Sequence, residues 1–143
     1  MQLNFVRYGL TYILAVAGLT LVSILMIRYL GIDFPSGAAS VIPPMAAALL
    51  EGQRIGRSVT EMPANGVLWQ AAGKATALVA VLNLVLLYAV SFLPGIGAVL
   101  AQIPPGLLTL IAAVLLVVVL WINWWFLRLG IKNELKAAKG RKG

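Results

Sequence analysis

The sequence predicts an all-α integral membrane bundle of about four transmembrane helices, the second short and proline-kinked, within a single membrane domain spanning 1–143. Three observations carry this expectation. Of the 143 residues, 62% are hydrophobic and only 10% charged, whereas a water-soluble domain carries roughly a quarter charged and under half apolar residues. Three uncharged apolar runs, 8–27, 75–93 and 107–127, are long enough to cross ~30 Å of hydrocarbon at about 1.5 Å per residue. The basic residues gather in alternate loops, which is the pattern of a chain threaded back and forth through a bilayer.

The first span reads Tyr8 to Ile27, bracketed by Arg7 and Arg28. Ala15-Val16-Ala17 resembles a signal-peptidase site, but the apolar run continues well beyond it, so a retained helix is expected. The second stretch, Ile32 to Leu50, contains Asp33, Pro35 and the pair Pro43-Pro44. Two readings compete there. A kinked helix could run from Ser36, a plausible N-cap, to Leu50 and into a polar turn at Glu51–Arg57. Alternatively, Pro43-Pro44 marks a helix start, and the irregular backbone before it is re-entrant. The kinked span over 36–50 is favoured because the topology needs it.

Next comes a polar loop holding Glu51, Arg54, Arg57, Glu61 and Lys74, with Pro63 and the turn pair Asn65-Gly66. The third span covers 75–93, and Pro94, Gly95 and Gly97 end it. Pro104, Pro105 and Gly106 introduce the fourth, 107–127, the most apolar of all. Trp121, Trp124 and Trp125 crowd its end just before Arg128, as interfacial aromatic anchors meeting a basic cap. The 128–143 tail is basic, holding Arg128, Lys132, Lys136, Lys139, Arg141 and Lys142 against Glu134 alone.

Orientation follows from these charges. The Arg7 end, the Arg54/Arg57/Lys74 loop and the tail are basic, whereas the Arg28/Asp33 loop is nearly neutral and 94–106 is uncharged. Four crossings with both termini in the cytoplasm satisfy the positive-inside rule at every loop. Without the second crossing, the Arg54/Arg57 loop and the tail would fall on opposite sides. The net charge of +7 is expected to meet anionic lipid headgroups at the basic tail rather than nucleic acid.

The residues that are missing narrow the chemistry. With no Cys and no His, thiolate nucleophiles, iron–sulfur clusters, Cys-type zinc sites and the commonest general base are excluded. The acids are only Asp33, Glu51, Glu61 and Glu134. No catalytic residue, cofactor or metal ligand is expected, and the chain is not expected to be an enzyme.

The polar residues that remain are candidates for interaction or for polar lining. Glu51, Arg54 and Arg57, with Glu61, form the densest polar cluster, and Glu51 can pair with Arg54 at i,i+3. They suit either a cytoplasmic docking site or simple interfacial anchoring. Asn83 and Asn123 are the strongest mid- or late-span polar groups of the third and fourth spans. They should face protein and hydrogen-bond another helix, with direct pairing between them conceivable and pore lining the functional alternative. Gly52 and Gly56 form a GxxxG pair at the membrane edge, where dimerisation is less expected. Gly66, Gly73, Ala77 and Ala80 form a small-residue face at the start of the third span, suited to close helix packing. Ile42-Pro43-Pro44 and Ile103-Pro104-Pro105 suggest a weak internal repeat of two helical hairpins, although proline pairs also favour helix starts.

The run Ile42-Pro43-Pro44-Met45 through Ala46-Ala47-Ala48, then Glu51-Gly52-Gln53-Arg54 and on to Pro63 and Trp69, resembles an uncharacterised family of small four-span proteobacterial inner-membrane proteins (the ABZJ type). That resemblance implies a bacterial inner membrane and four spans, and brings no activity. The leading expectation is a non-enzymatic accessory or interaction protein of the cytoplasmic membrane, with a membrane-protein partner or a homo-oligomer. A small oligomeric channel or transporter is the alternative. A lipid-acting enzyme using Glu51, Arg54, Arg57 and Glu61 ranks third, because no nucleophile–base pair is visible.

Overall fold

A computed structural model describes residues 3–32, 36–93 and 95–140. Asp33, Pro35, Pro94, Arg141 and Lys142 lie outside the described residues, as do the side chains of residues 36–39. The described chain is helical, in the order α1 (Phe5–Leu30), α2 (Ser36–Ser58), α3 (Asn65–Ser91), α4 (Ile96–Ala101) and α5 (Pro105–Gly140). Three of these helices, α1, α3 and α5, are long and apolar enough to cross a membrane. In α1 and α5 only 6% of the most apolar stretch is buried by protein. Large side chains such as Leu14, Leu21, Leu84, Leu110 and Val117 stand exposed. An apolar surface of this extent is incompatible with water, so the molecule is a membrane protein.

Local chemistry sets the helix ends. Asn4 caps α1, its side-chain oxygen accepting from the Arg7 N–H at 3.0 Å. Gly31 closes the helix at φ +64°, its N–H donating to the Ile27 carbonyl. Pro105 opens α5 in the first turn, where its missing N–H leaves no partner unsatisfied.

The structure revises the second helix. It is not short. It runs unbroken from Ser36 through Pro43 and Pro44 to Ser58, so Glu51–Arg57 continues the helix rather than forming a polar turn. The reason lies in its buried face: Pro43, Pro44, Ala47, Ala48, Glu51, Gly52, Ile55 and Gly56 recur in steps of four and pack mainly on α5. Both prolines are fully buried. The lost i→i−4 bonds are offset by this packing.

Gly52, Gly56 and Gly130 let the α2 and α5 backbones touch. A Cβ on Gly52 would lie 2.5 Å from the Leu127 carbonyl oxygen, and one on Gly56 would lie 3.0 Å from Ile131 Cα. One on Gly130 would meet the Leu49 carbonyl and would lie 2.7 Å from the Gln53 nitrogen. The GxxxG pair therefore serves packing within the chain. Gly52 faces Leu127 and Gly56 faces Ile131, so the two helices advance in the same direction.

Three further expectations are corrected. The third helix packs through Leu68, Ala71, Ala72, Ala75, Thr76 and Val79, not through Gly66, Gly73, Ala77 and Ala80. A Cβ on Gly66 or Gly73 would meet nothing. The uncharged loop holds a helical turn, α4. Finally, residues 128–140 do not hang as a tail but continue α5. Gly130 and Ile131 bury there, and Leu135 packs beside them, which anchors the basic helix end.

Candidate functional site

In lipid the hydrophobic effect does not press helix against helix, so hydrogen bonds and tight packing must do so. Asn123, fully buried on α5, joins three helices. Its Oδ1 accepts from the Tyr8 hydroxyl at 2.5 Å, and its Nδ2 donates to Thr76 Oγ1 at 3.0 Å. One turn along α1, the Tyr12 hydroxyl donates to Asn83 Oδ1 at 3.0 Å. The two asparagines do not pair with each other; each is taken by a tyrosine of α1. Asn83 itself is exposed on α3, and no acceptor for its N–H donors occurs among the described residues.

Sequence reading missed Tyr8, Tyr12 and Thr76. The signal was present, because Tyr8 and Tyr12 sit at i,i+4 on one face of an otherwise apolar helix. An expectation of two polar groups per buried amide would have pointed to them.

Glu51 is 2% exposed, on the face of α2 turned to the start of α1. Its Oε1 accepts the Asn4 N–H at 3.1 Å, so the carboxylate lies at the positive end of the α1 dipole. Its Oε2 has no hydrogen-bond partner, and Arg54 Nη1 stands 3.8 Å away. That distance makes an ion pair without a hydrogen bond, half open to solvent on the arginine side. Arg57 donates to Glu134 Oε1 at 3.1 Å, tying the end of α2 to α5. This hydrogen bond, and then the charge of Glu134, raise the pKa of Arg57 above its already high ordinary value. Arg57 is therefore a fixed cation. Glu61 is apart from these, exposed in the 59–64 connection beside an open depression. The structure thus joins Glu51 to Arg54 and Arg57 to Glu134, and leaves Glu61 out.

All four tryptophans form one cluster. Trp69 of α3 stacks on Trp124 at 5.1 Å, and Trp121 and Trp125 meet Trp124 edge-on at 6.0 and 6.2 Å. The Trp124 indole N–H donates to Asn65 at 3.2 Å, and the Arg128 guanidinium lies 5.5 Å from the Trp124 ring centroid. Trp69 joins the expected anchors Trp121, Trp124 and Trp125. Among the described residues no three His, Cys, Asp or Glu side chains gather as metal ligands. The arrangement can hold helices together and present cations.

No family model matches the chain, and no curated protein or solved structure matches it.

Proposed function

We propose that the chain is a non-enzymatic accessory or interaction protein of the bacterial cytoplasmic membrane, crossing it four times with both ends in the cytoplasm. The observation that carries the reading is how the polar groups are spent. Inside the bundle Tyr8, Asn123 and Thr76 satisfy one another, whereas Arg128 and Lys132 present charge at its surface, as do Arg54 and Arg57, each beside a carboxylate. Buried polar groups paired with one another and a cationic end suit docking better than transport.

The shared direction of α2 and α5 supports the fourth crossing. Because Gly52 is level with Leu127 and Gly56 with Ile131, α2 runs in the same direction as α5, a helix long and apolar enough to cross. Charge supports the orientation, since Arg7, Arg54, Arg57 and Lys74 then share the cytoplasmic side with the basic end of α5. The resemblance to small four-span inner-membrane proteins agrees with this location.

The test is gentle extraction into native nanodiscs followed by intact-complex mass spectrometry. The accessory reading expects a stable heteromeric partner, lost when the exposed Lys136 and Lys139 are both changed to Glu, which leaves the Glu51–Arg54 and Arg57–Glu134 pairs in place. A bare monomer or a homo-oligomer would sink it. One observation favours a small oligomeric channel instead: the exposed, half-bonded amide of Asn83. That reading expects solute flux in liposomes that Asn83→Leu alters; the accessory reading expects none.

A further inference from the structure

We infer that α5 carries a bounded site for one anionic glycerophospholipid, with its phosphate held by Trp125, Arg128 and Lys132. Val114, Val118, Trp121, Trp125, Arg128 and Lys132 follow one another at spacings of four, three, four, three and four. They therefore form a single stripe along the helix, and all six are exposed. The stripe changes character in the order a phospholipid does. It is aliphatic at Val114 and Val118, aromatic at Trp121 and Trp125, and cationic at Arg128 and Lys132. From Val114 to Trp125 the helix rises about 16 Å, roughly the acyl depth of one leaflet.

At the cationic end lies an open cavity of about 210 Å³ lined by Trp125, Arg128, Leu129 and Lys132. Its polar side chains are all donors. They are an indole N–H, a guanidinium and an ammonium, with no acceptor among them. The complement of such a lining is a group that only accepts, and a phosphodiester is one. Arg128 is held in place over Trp124. Among the described residues no carboxylate pairs with Arg128 or Lys132, and the nearest acid along α5, Glu134, is engaged by Arg57.

An ordinary aromatic belt distributes its rings around the perimeter of a bundle. Here the four tryptophans join in one cluster, of which Trp125 lines this cavity, so the rings mark one lipid position rather than a general depth. Because the apolar stripe leads into the cavity, the phosphate comes from a lipid and not from solution. The inference does not depend on a protein partner, so it stands or falls separately from the accessory reading.

The experiment is native mass spectrometry of the full chain, titrated with phosphatidylglycerol or phosphatidylcholine. The expected result is a single phosphatidylglycerol adduct preferred by roughly tenfold. The pair Arg128→Gln with Lys132→Gln should reduce it to the phosphatidylcholine level. Lys136→Gln with Lys139→Gln, which removes the same charge beyond the cavity, should leave the preference intact. Inorganic phosphate should not displace the adduct. Equal binding of the two lipids would overturn the site, as would equal loss in both charge variants or displacement by phosphate alone. All four substituted side chains are exposed, so folding is not at stake.

Discussion

Asn123 is the residue on which three helices meet, and its amide uses both a donor and an acceptor to hold Tyr8 and Thr76. Replacing it with Ala leaves a buried hydroxyl on each neighbour without its partner. The expected loss is about 1–3 kcal/mol, with Tyr8→Phe costing less because it orphans one group, the Asn123 Oδ1, rather than two. Steric-trap or detergent unfolding of the two single variants and the double variant checks this. The double variant should lose less than the sum of the singles, since both act on one bond. Glu51 makes a second residue-scale case. Its carboxylate is buried with one oxygen unbonded, so removing its counter-charge should hurt more than removing a surface pair. Arg54→Ala is expected to lower stability more than Arg57→Ala, whose pair with Glu134 is open to solvent and weakens with salt. Equal effects of the two variants would show that Glu51 does not depend on Arg54.

Among the elements, α2 decides the architecture, and its packing rests on glycine. Gly52→Ala or Gly130→Ala places a methyl group against backbone rather than against a side chain that can turn away. Each should cost about 1–3 kcal/mol by forcing α2 and α5 apart. Gly73→Ala, on an open part of α3, should instead be neutral or stabilising by up to about 1 kcal/mol. The same unfolding measurement separates these outcomes. The contrast also explains which elements were legible in the sequence. Helices α1, α3 and α5 announce themselves because their apolar stretches carry large apolar residues on every side, which is what lipid demands. In α2 the apolar character comes from Ala, Gly and Pro, which bury little area each. Its tightest contacts are backbone to backbone, and these leave no mark on hydropathy. The glycines of α2 and α3 look alike in sequence. Only the facing backbone, Leu127 and Ile131 in one case and nothing in the other, tells packing glycines from idle ones.

For the molecule as a whole, the helices meet closely where α2, the start of α1 and the C-terminal part of α5 converge. The far half of α3 and the N-terminal half of α5 stand largely free of protein contact. The sequence located the charged cluster and the tryptophan anchors, because charge and aromatic rings at span ends have few other reasons to be there. It could not show that Glu51 is buried under α1 while Glu61 is not, since burial depends on which helix lies opposite. A bundle whose buried polar groups bond one another should be electrically silent. Reconstituted into liposomes, the chain should pass no more ions or small solutes than protein-free vesicles, and Asn83→Leu should change nothing.

The central claim is that α2 is a crossing, and the chain is well suited to test it because it contains no cysteine. Ile32→Cys and Glu61→Cys sit at exposed positions on either side of α2, and a membrane-impermeant maleimide reports which side each occupies. If α2 crosses, intact cells label only Ile32→Cys, and Glu61→Cys reacts only after lysis. Labelling of both from the same side would place α2 within or along one face of the bilayer, and the four-crossing account would be wrong.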